Sequence, residues 1–93
     1  MFATMRSMKT FVVFKMESDH ARDVMTWLGD FTRQTGRTLE TVDPDTRDGA
    51  ATCRTYDIVE YPSIVALDDN GQLQNLWRGR PLPTISEVSY YAQ

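Results

Sequence analysis

Pro62 constrains this chain more than any other residue. It stands between Ile58-Val59-Glu60-Tyr61 and the apolar run Ser63-Ile64-Val65-Ala66-Leu67. Proline donates no backbone hydrogen bond, so a sheet admits it only at an edge, at a bulge or as a strand's first residue. A run as apolar as Ser63 to Leu67 reads as a strand buried on both faces. Pro62 is therefore expected to open that strand, and the Tyr61-Pro62 bond is a candidate cis peptide, because X-Pro bonds alone populate cis to any extent. The remaining elements have to be arranged around this strand.

Thr10 to Met16, rich in Val and Phe, supplies a second central strand. Ser18 is placed as a helix N-cap, with Asp19 beside it favoured by the positive end of the helix dipole. Ala21, Val24, Met25, Leu28 and Phe31 then recur at helical spacing and form one apolar face, with Trp27 beside the stripe. Gly36 is a suitable stop. Gly29 costs this helix about 1 kcal/mol relative to Ala unless close packing needs it. Thr38 to Asp43 reads as a short β-branched strand that Pro44 ends. Thr46 to Tyr56 reads as a helix interrupted by Gly49, with Ala50, Cys53 and Tyr56 facing inward. After the Pro62 strand, Asp68-Asp69-Asn70-Gly71 is a turn, and Gln72 to Arg78 is the return strand of a hairpin. Leu76 and Trp77 adjoin in it, so they point to opposite faces. Gly79, Pro81 and Pro83 punctuate a loop. Thr84 and Glu87 then make a capping box for a last helix through about Tyr91. The order is βαβαββα, an α/β chain with a mixed four-stranded sheet and helices on both faces.

Ninety-three residues, 41% hydrophobic and 25% charged, make one domain of modest core. Residues 9–93 are assigned to it, and residues 1–8, which show no periodicity, to a flexible tail in which Met8 is an equally good start. A net charge of −3 with scattered arginines argues against a general nucleic-acid or anionic-membrane binder. The single cysteine, Cys53, excludes an intramolecular disulfide and a cysteine-rich zinc site. Phe11 to Phe14 is too short for a signal-peptide core or a membrane span, so a cytoplasmic location is expected.

The element order and the proline opening the third strand resemble the thioredoxin-like superfamily in its compact, glutaredoxin-like form. The resemblance spans roughly Lys9 to Ala92. A Tyr-x-Ile-x-x-x-Pro-Thr run typical of such proteins stands here as Tyr56-Asp57-Ile58-Val59-Glu60-Tyr61-Pro62-Ser63. Gly71 and Gly79 match the hairpin and strand-end glycines, and Val42-Asp43 matches the end of the preceding strand. The departure is the Cys-x-x-Cys motif that opens the first helix. Its positions read Ser18-Asp19-His20-Ala21, so both thiols are missing. Disulfide exchange needs a thiolate, whose pKa a helix N-terminus lowers, and a serine hydroxyl there stays protonated. His20 lies two residues from Ser18, but i and i+2 neighbours on a helix do not face each other, which favours capping over hydrolysis.

Cys53 reads first as a small core hydrophobe and second as a reactive single thiol. His20 reads as an exposed first-turn residue, against a sharper reading as ligand or proton carrier. Glu17, Asp19 and His20 adjoin, but three neighbours on one turn do not converge on a metal ion. No cofactor is implied. Tyr90 and Tyr91 read as closing the core. The resemblance implies that the residue before the proline, Tyr61, contacts substrate through its backbone. The leading expectation is a redox-inactive thioredoxin-like module that binds a protein or peptide through Tyr61, Pro62, Ser18, His20 and Gly79. The alternative is a divergent thiol-disulfide oxidoreductase or glutathione-dependent protein using Cys53, which must then be exposed, acidic and near the groove. A third class is an oligomerising structural protein.

Overall fold

A computed structural model describes residues 9–92; the tail assigned to residues 1–8 lies outside the described residues. The order is β1 (Lys9–Val13), α1 (Ala21–Thr35), β2 (Glu40–Val42), α2 (Arg47–Tyr56), β3 (Ser63–Leu67), β4 (Leu73–Arg78) and α3 (Ile85–Tyr91). The sheet runs β2-β1-β3-β4. β1 is parallel to β2 and antiparallel to β3, which is antiparallel to β4. This is the mixed four-stranded sheet expected, and its topology is thioredoxin-like.

β3 is the one strand in which every residue is buried. It is covered on both faces and paired on both edges, so its sequence is a continuous apolar run rather than an alternation. Successive side chains still point to opposite faces. Val12, Phe14 and Ile64 pack with Val24 and Phe31 of α1 and Val88 of α3. Phe11, Val13, Val65 and Leu67 pack with Cys53 of α2 and with Ile58. Trp77 joins the α1/α3 layer and Leu76 the α2 layer, as their adjacency requires. Pro62 sits one residue before β3 and is itself buried.

Several boundaries differ from the sequence reading. β1 ends at Val13, although Phe14 still donates its N–H to the Val42 carbonyl and its side chain stays in the core. β2 is three residues long, with Leu39 buried just ahead of it. Met25 is half-exposed at 52%, so the buried stripe of α1 is narrower than its apolar pattern. Trp27, on the other flank, extends the packed face, stacking on Phe31 at 5.4 Å and donating its indole N–H to the Pro83 carbonyl at 2.9 Å. Gly49 does not interrupt α2. Its N–H is capped by the Thr46 hydroxyl at 3.0 Å, and the bare Cα lets the Asp43 carbonyl approach so closely that a Cβ would overlap it. The helix stops at Asp57, which takes the left-handed conformation at φ 57° that Asp tolerates. α3 carries the full Thr84–Glu87 capping box. Among the described residues no helix is long and apolar enough to cross a membrane.

Candidate functional site

The turn between β1 and α1 is organised by Lys15. The Ser18 hydroxyl donates to the Lys15 carbonyl at 2.5 Å, and the Lys15 N–H donates to His20 Nε2 at 3.2 Å. Ser18 is therefore not the helix N-cap: α1 starts at Ala21, and the capping position falls to His20, which makes no side-chain cap bond. His20 is buried rather than exposed, lying edge-on to Phe14 at 6.4 Å between ring centroids. One nitrogen of a neutral imidazole donates and the other accepts, so accepting at Nε2 puts the proton on Nδ1.

The opposite wall is the segment ahead of β3. The Tyr61–Pro62 peptide is cis, as is Arg80–Pro81. Lys15 Nζ stands 5.4 Å from the centre of the Tyr61 ring and 3.7 Å from Asp45 Oδ1. Among the described residues, neither the N–H nor the C=O of Tyr61 has a hydrogen-bond partner, whereas the Pro62 carbonyl accepts from the Gly79 N–H at 2.7 Å. Gly79 has φ 69°, and a Cβ there would come within 2.5 Å of Glu60 Oε2, so only glycine suits this strand end. Arg80 reaches Asp23 at 3.7 Å and ties the loop after β4 to the first turn of α1. Ser18, His20, Tyr61, Pro62 and Gly79 are thus linked, and the link is Lys15. Sequence reasoning missed Lys15 because the apolar run absorbed it into the first strand; the only signal was a cation directly after Phe14.

Cys53 lies on the α2 face of the sheet, opposite α1, yet it meets Tyr61. The two line a cavity of about 530 Å³ together with Pro44, Arg54 and Val59. Cys53 thus sits away from α1 and is buried, as its reading as a small core hydrophobe expects, although it borders Tyr61. Burial pushes the Cys53 thiol up from its ordinary value of 9.0, and the neighbouring Tyr61 side chain partly offsets this. Burial likewise raises the Tyr61 phenol, with Cys53 and Asp45 adding to the rise.

A covalent mechanism needs a nucleophile bonded to its base. Here the Ser18 hydroxyl is committed to a backbone carbonyl and His20 Nε2 to a backbone N–H, so they do not form such a pair. Among the described residues no three His, Cys, Asp or Glu side chains gather to hold a metal ion. What the site offers instead is unpaired backbone at Tyr61, an aromatic face and a nearby ammonium group.

No family model and no curated protein matches the sequence. Solved structures do match in fold. Oxidised thioredoxin O2 of Arabidopsis thaliana superposes with a TM-score of 0.67 at 11% identity, over 89% of this chain and 70% of that one. The reduced Schistosoma mansoni thioredoxin pre-protein gives 0.67 at 18%, over 90% and 74%. Oxidised mitochondrial thioredoxin 3 of Saccharomyces cerevisiae gives 0.69 at 11%, over 95% and 78%. Identities this low establish a thioredoxin-like fold and nothing finer.

Proposed function

We propose that this thioredoxin-fold chain is a redox-inactive binding module that takes an extended peptide beside Pro62. The observation that carries the reading is the backbone of Tyr61. Its donor and acceptor have no partner among the described residues, whereas the carbonyls of its two neighbours, Glu60 and Pro62, are bonded. An extended peptide that pairs with both groups adds main-chain hydrogen bonds, and its side chains then choose among the surrounding surfaces. The Tyr61 ring, with Lys15 over it, offers one such surface. Redox inactivity follows from the chemistry: Ser18 and Ala21 stand where the fold's dithiol chemistry would need an attacking thiolate and a second thiol.

The test is selection from a random peptide library, followed by N-methyl scanning of the selected peptides. Backbone pairing predicts that methylating the paired amide costs about 1–3 kcal/mol, because a buried partner is left unsatisfied. That is roughly 5- to 150-fold in affinity. Peptides indifferent to N-methylation throughout would refute the reading.

One observation favours a second reading, the single-thiol enzyme: Cys53 and Tyr61 line the same cavity. Against it, the thiol is 7% exposed and its pKa is raised, whereas a catalytic thiol needs access and a lowered pKa. Turnover abolished by Cys53→Ala would restore that reading.

A further inference from the structure

A second site lies on the edge of the sheet away from Tyr61. Trp77 of β4 and Tyr90 and Tyr91 of α3 line a cavity of about 310 Å³ with Asn75 and Glu87. The rings of Trp77 and Tyr91 meet at 73°, with centroids 5.5 Å apart. Those of Tyr90 and Tyr91 meet at 85° and 5.1 Å. Nearly perpendicular rings present walls rather than one flat patch. The Thr10 hydroxyl donates to the Tyr91 carbonyl at 3.2 Å and holds that end of α3 against the sheet. Glu87 gives Oε1 to the capping box at Thr84, and its Oε2 has no partner among the described residues.

The geometry points to this cavity as a binding site for a small soluble quaternary or methylated ammonium ion. Aromatic faces attract cations through the ring quadrupole, and rings at right angles offer faces in more than one direction to a charge that is bulky and weakly hydrated. The Glu87 carboxylate adds the matching charge, and the net charge of −3 favours cations generally. Among the described residues no Lys or Arg of the chain sits on these three rings; the cation–ring contact is Lys15 on Tyr61. At about 310 Å³ the cavity is at the small end of the usual ligand range of about 300–1,000 Å³, which suits a single head group.

A small ion fits better than a methylated peptide laid along β4. The Gly79-to-Pro62 bond sets the alternation of the β3–β4 ladder, so that Ile64–Trp77 is a hydrogen-bonded pair and Val65–Leu76 is not. The Leu76 N–H therefore points to the free edge, where the Asn75 side chain occupies it at 2.8 Å. One of the two edge donors flanking Trp77 that an added strand would need is thus already taken.

The probes are choline and its neutral isostere 3,3-dimethylbutan-1-ol, titrated into the full chain and followed by NMR shifts of backbone amides. Choline is expected to produce saturable shifts centred on Trp77, Tyr90 and Tyr91, and the isostere to bind at least tenfold more weakly. Tyr90 is 67% exposed, so Tyr90→Ala should fold; Glu87→Gln keeps the capping box while removing the charge. Each is expected to weaken choline about three- to tenfold, in the range of a cation–π contact. Equal binding of the isostere, shifts centred elsewhere, or no saturable response to choline would overturn the assignment. A trimethyl-lysine peptide binding far more tightly than choline would overturn it too, in favour of a protein ligand.

Discussion

Two glycines in helices, Gly29 and Gly49, should respond in opposite directions to the same substitution. Propensity alone makes Gly→Ala stabilising at both, by about 0.8–1.0 kcal/mol. At Gly29 nothing opposes this: the position is exposed, and a Cβ would meet only the end of the Arg33 side chain at 3.8 Å. Gly29→Ala is expected to raise stability by about 1 kcal/mol, which is about 4–8 °C in Tm for a domain of this size. At Gly49 a Cβ would overlap the Asp43 carbonyl and lie 2.8 Å from Thr46 Oγ1, the cap of the same helix. Overpacking against backbone costs about 1–3 kcal/mol, and a disturbed cap costs about another 1 kcal/mol. Subtracting the propensity gain leaves Gly49→Ala about 1–3 kcal/mol less stable. The loop it displaces also carries Asp45, the partner of Lys15, so the mutant should loosen the site as well. Thermal and urea denaturation of the two variants beside the parent measure both effects. A Gly49→Ala protein as stable as the parent would refute the close approach and with it the seating of α2.

Three other outcomes are expected. Because folding raises the Cys53 pKa above 9.0, the native state holds its proton longer than the unfolded one, so this contribution is full below about pH 9 and is lost as pH rises through the folded value; Cys53→Ala should flatten, though not remove, the alkaline fall in stability, since Tyr61 shifts the same way, and an unchanged slope would contradict the burial argument. A thiol-specific disulfide reagent should label Cys53 far more slowly in the native protein than in urea, and equal rates would show an open thiol. Insulin reduction by dithiothreitol should run at its uncatalysed rate in the presence of the protein, and acceleration would sink the redox-inactive reading.

The order of elements was legible because each rests on local rules: the Val/Phe run of β1, the α1 stripe, the Asp68 turn and the Thr84 capping box. Pro62 could be placed ahead of β3 because a buried central strand leaves proline nowhere else to sit. The misread positions depend on contacts that sequence spacing does not encode. Gly49 looks like a helix breaker until Asp43, six residues earlier, is found against it. Ser18 has the chemistry of an N-cap, but its hydroxyl bonds back to Lys15. His20 looks exposed by position, yet the Lys15 N–H and the edge of Phe14 satisfy it inside. Cys53 and Tyr61 are eight residues apart and meet only because α2 and the segment before β3 fold onto one face of the sheet. Lys15 escaped notice since a strand ending three residues earlier than expected, at Val13 rather than Met16, is invisible to periodicity.

The central claim is that Tyr61 offers its backbone to an extended partner. Hydrogen exchange of the Tyr61 amide, followed by NMR with and without a saturating selected peptide, tests it most directly. The free chain should exchange this proton quickly, since the amide has no partner among the described residues. Bound peptide should slow it strongly while leaving amides in the core of α1 and β3 unchanged. A Tyr61 amide that is already protected in the free protein, or that exchanges as fast in the complex, would contradict the account.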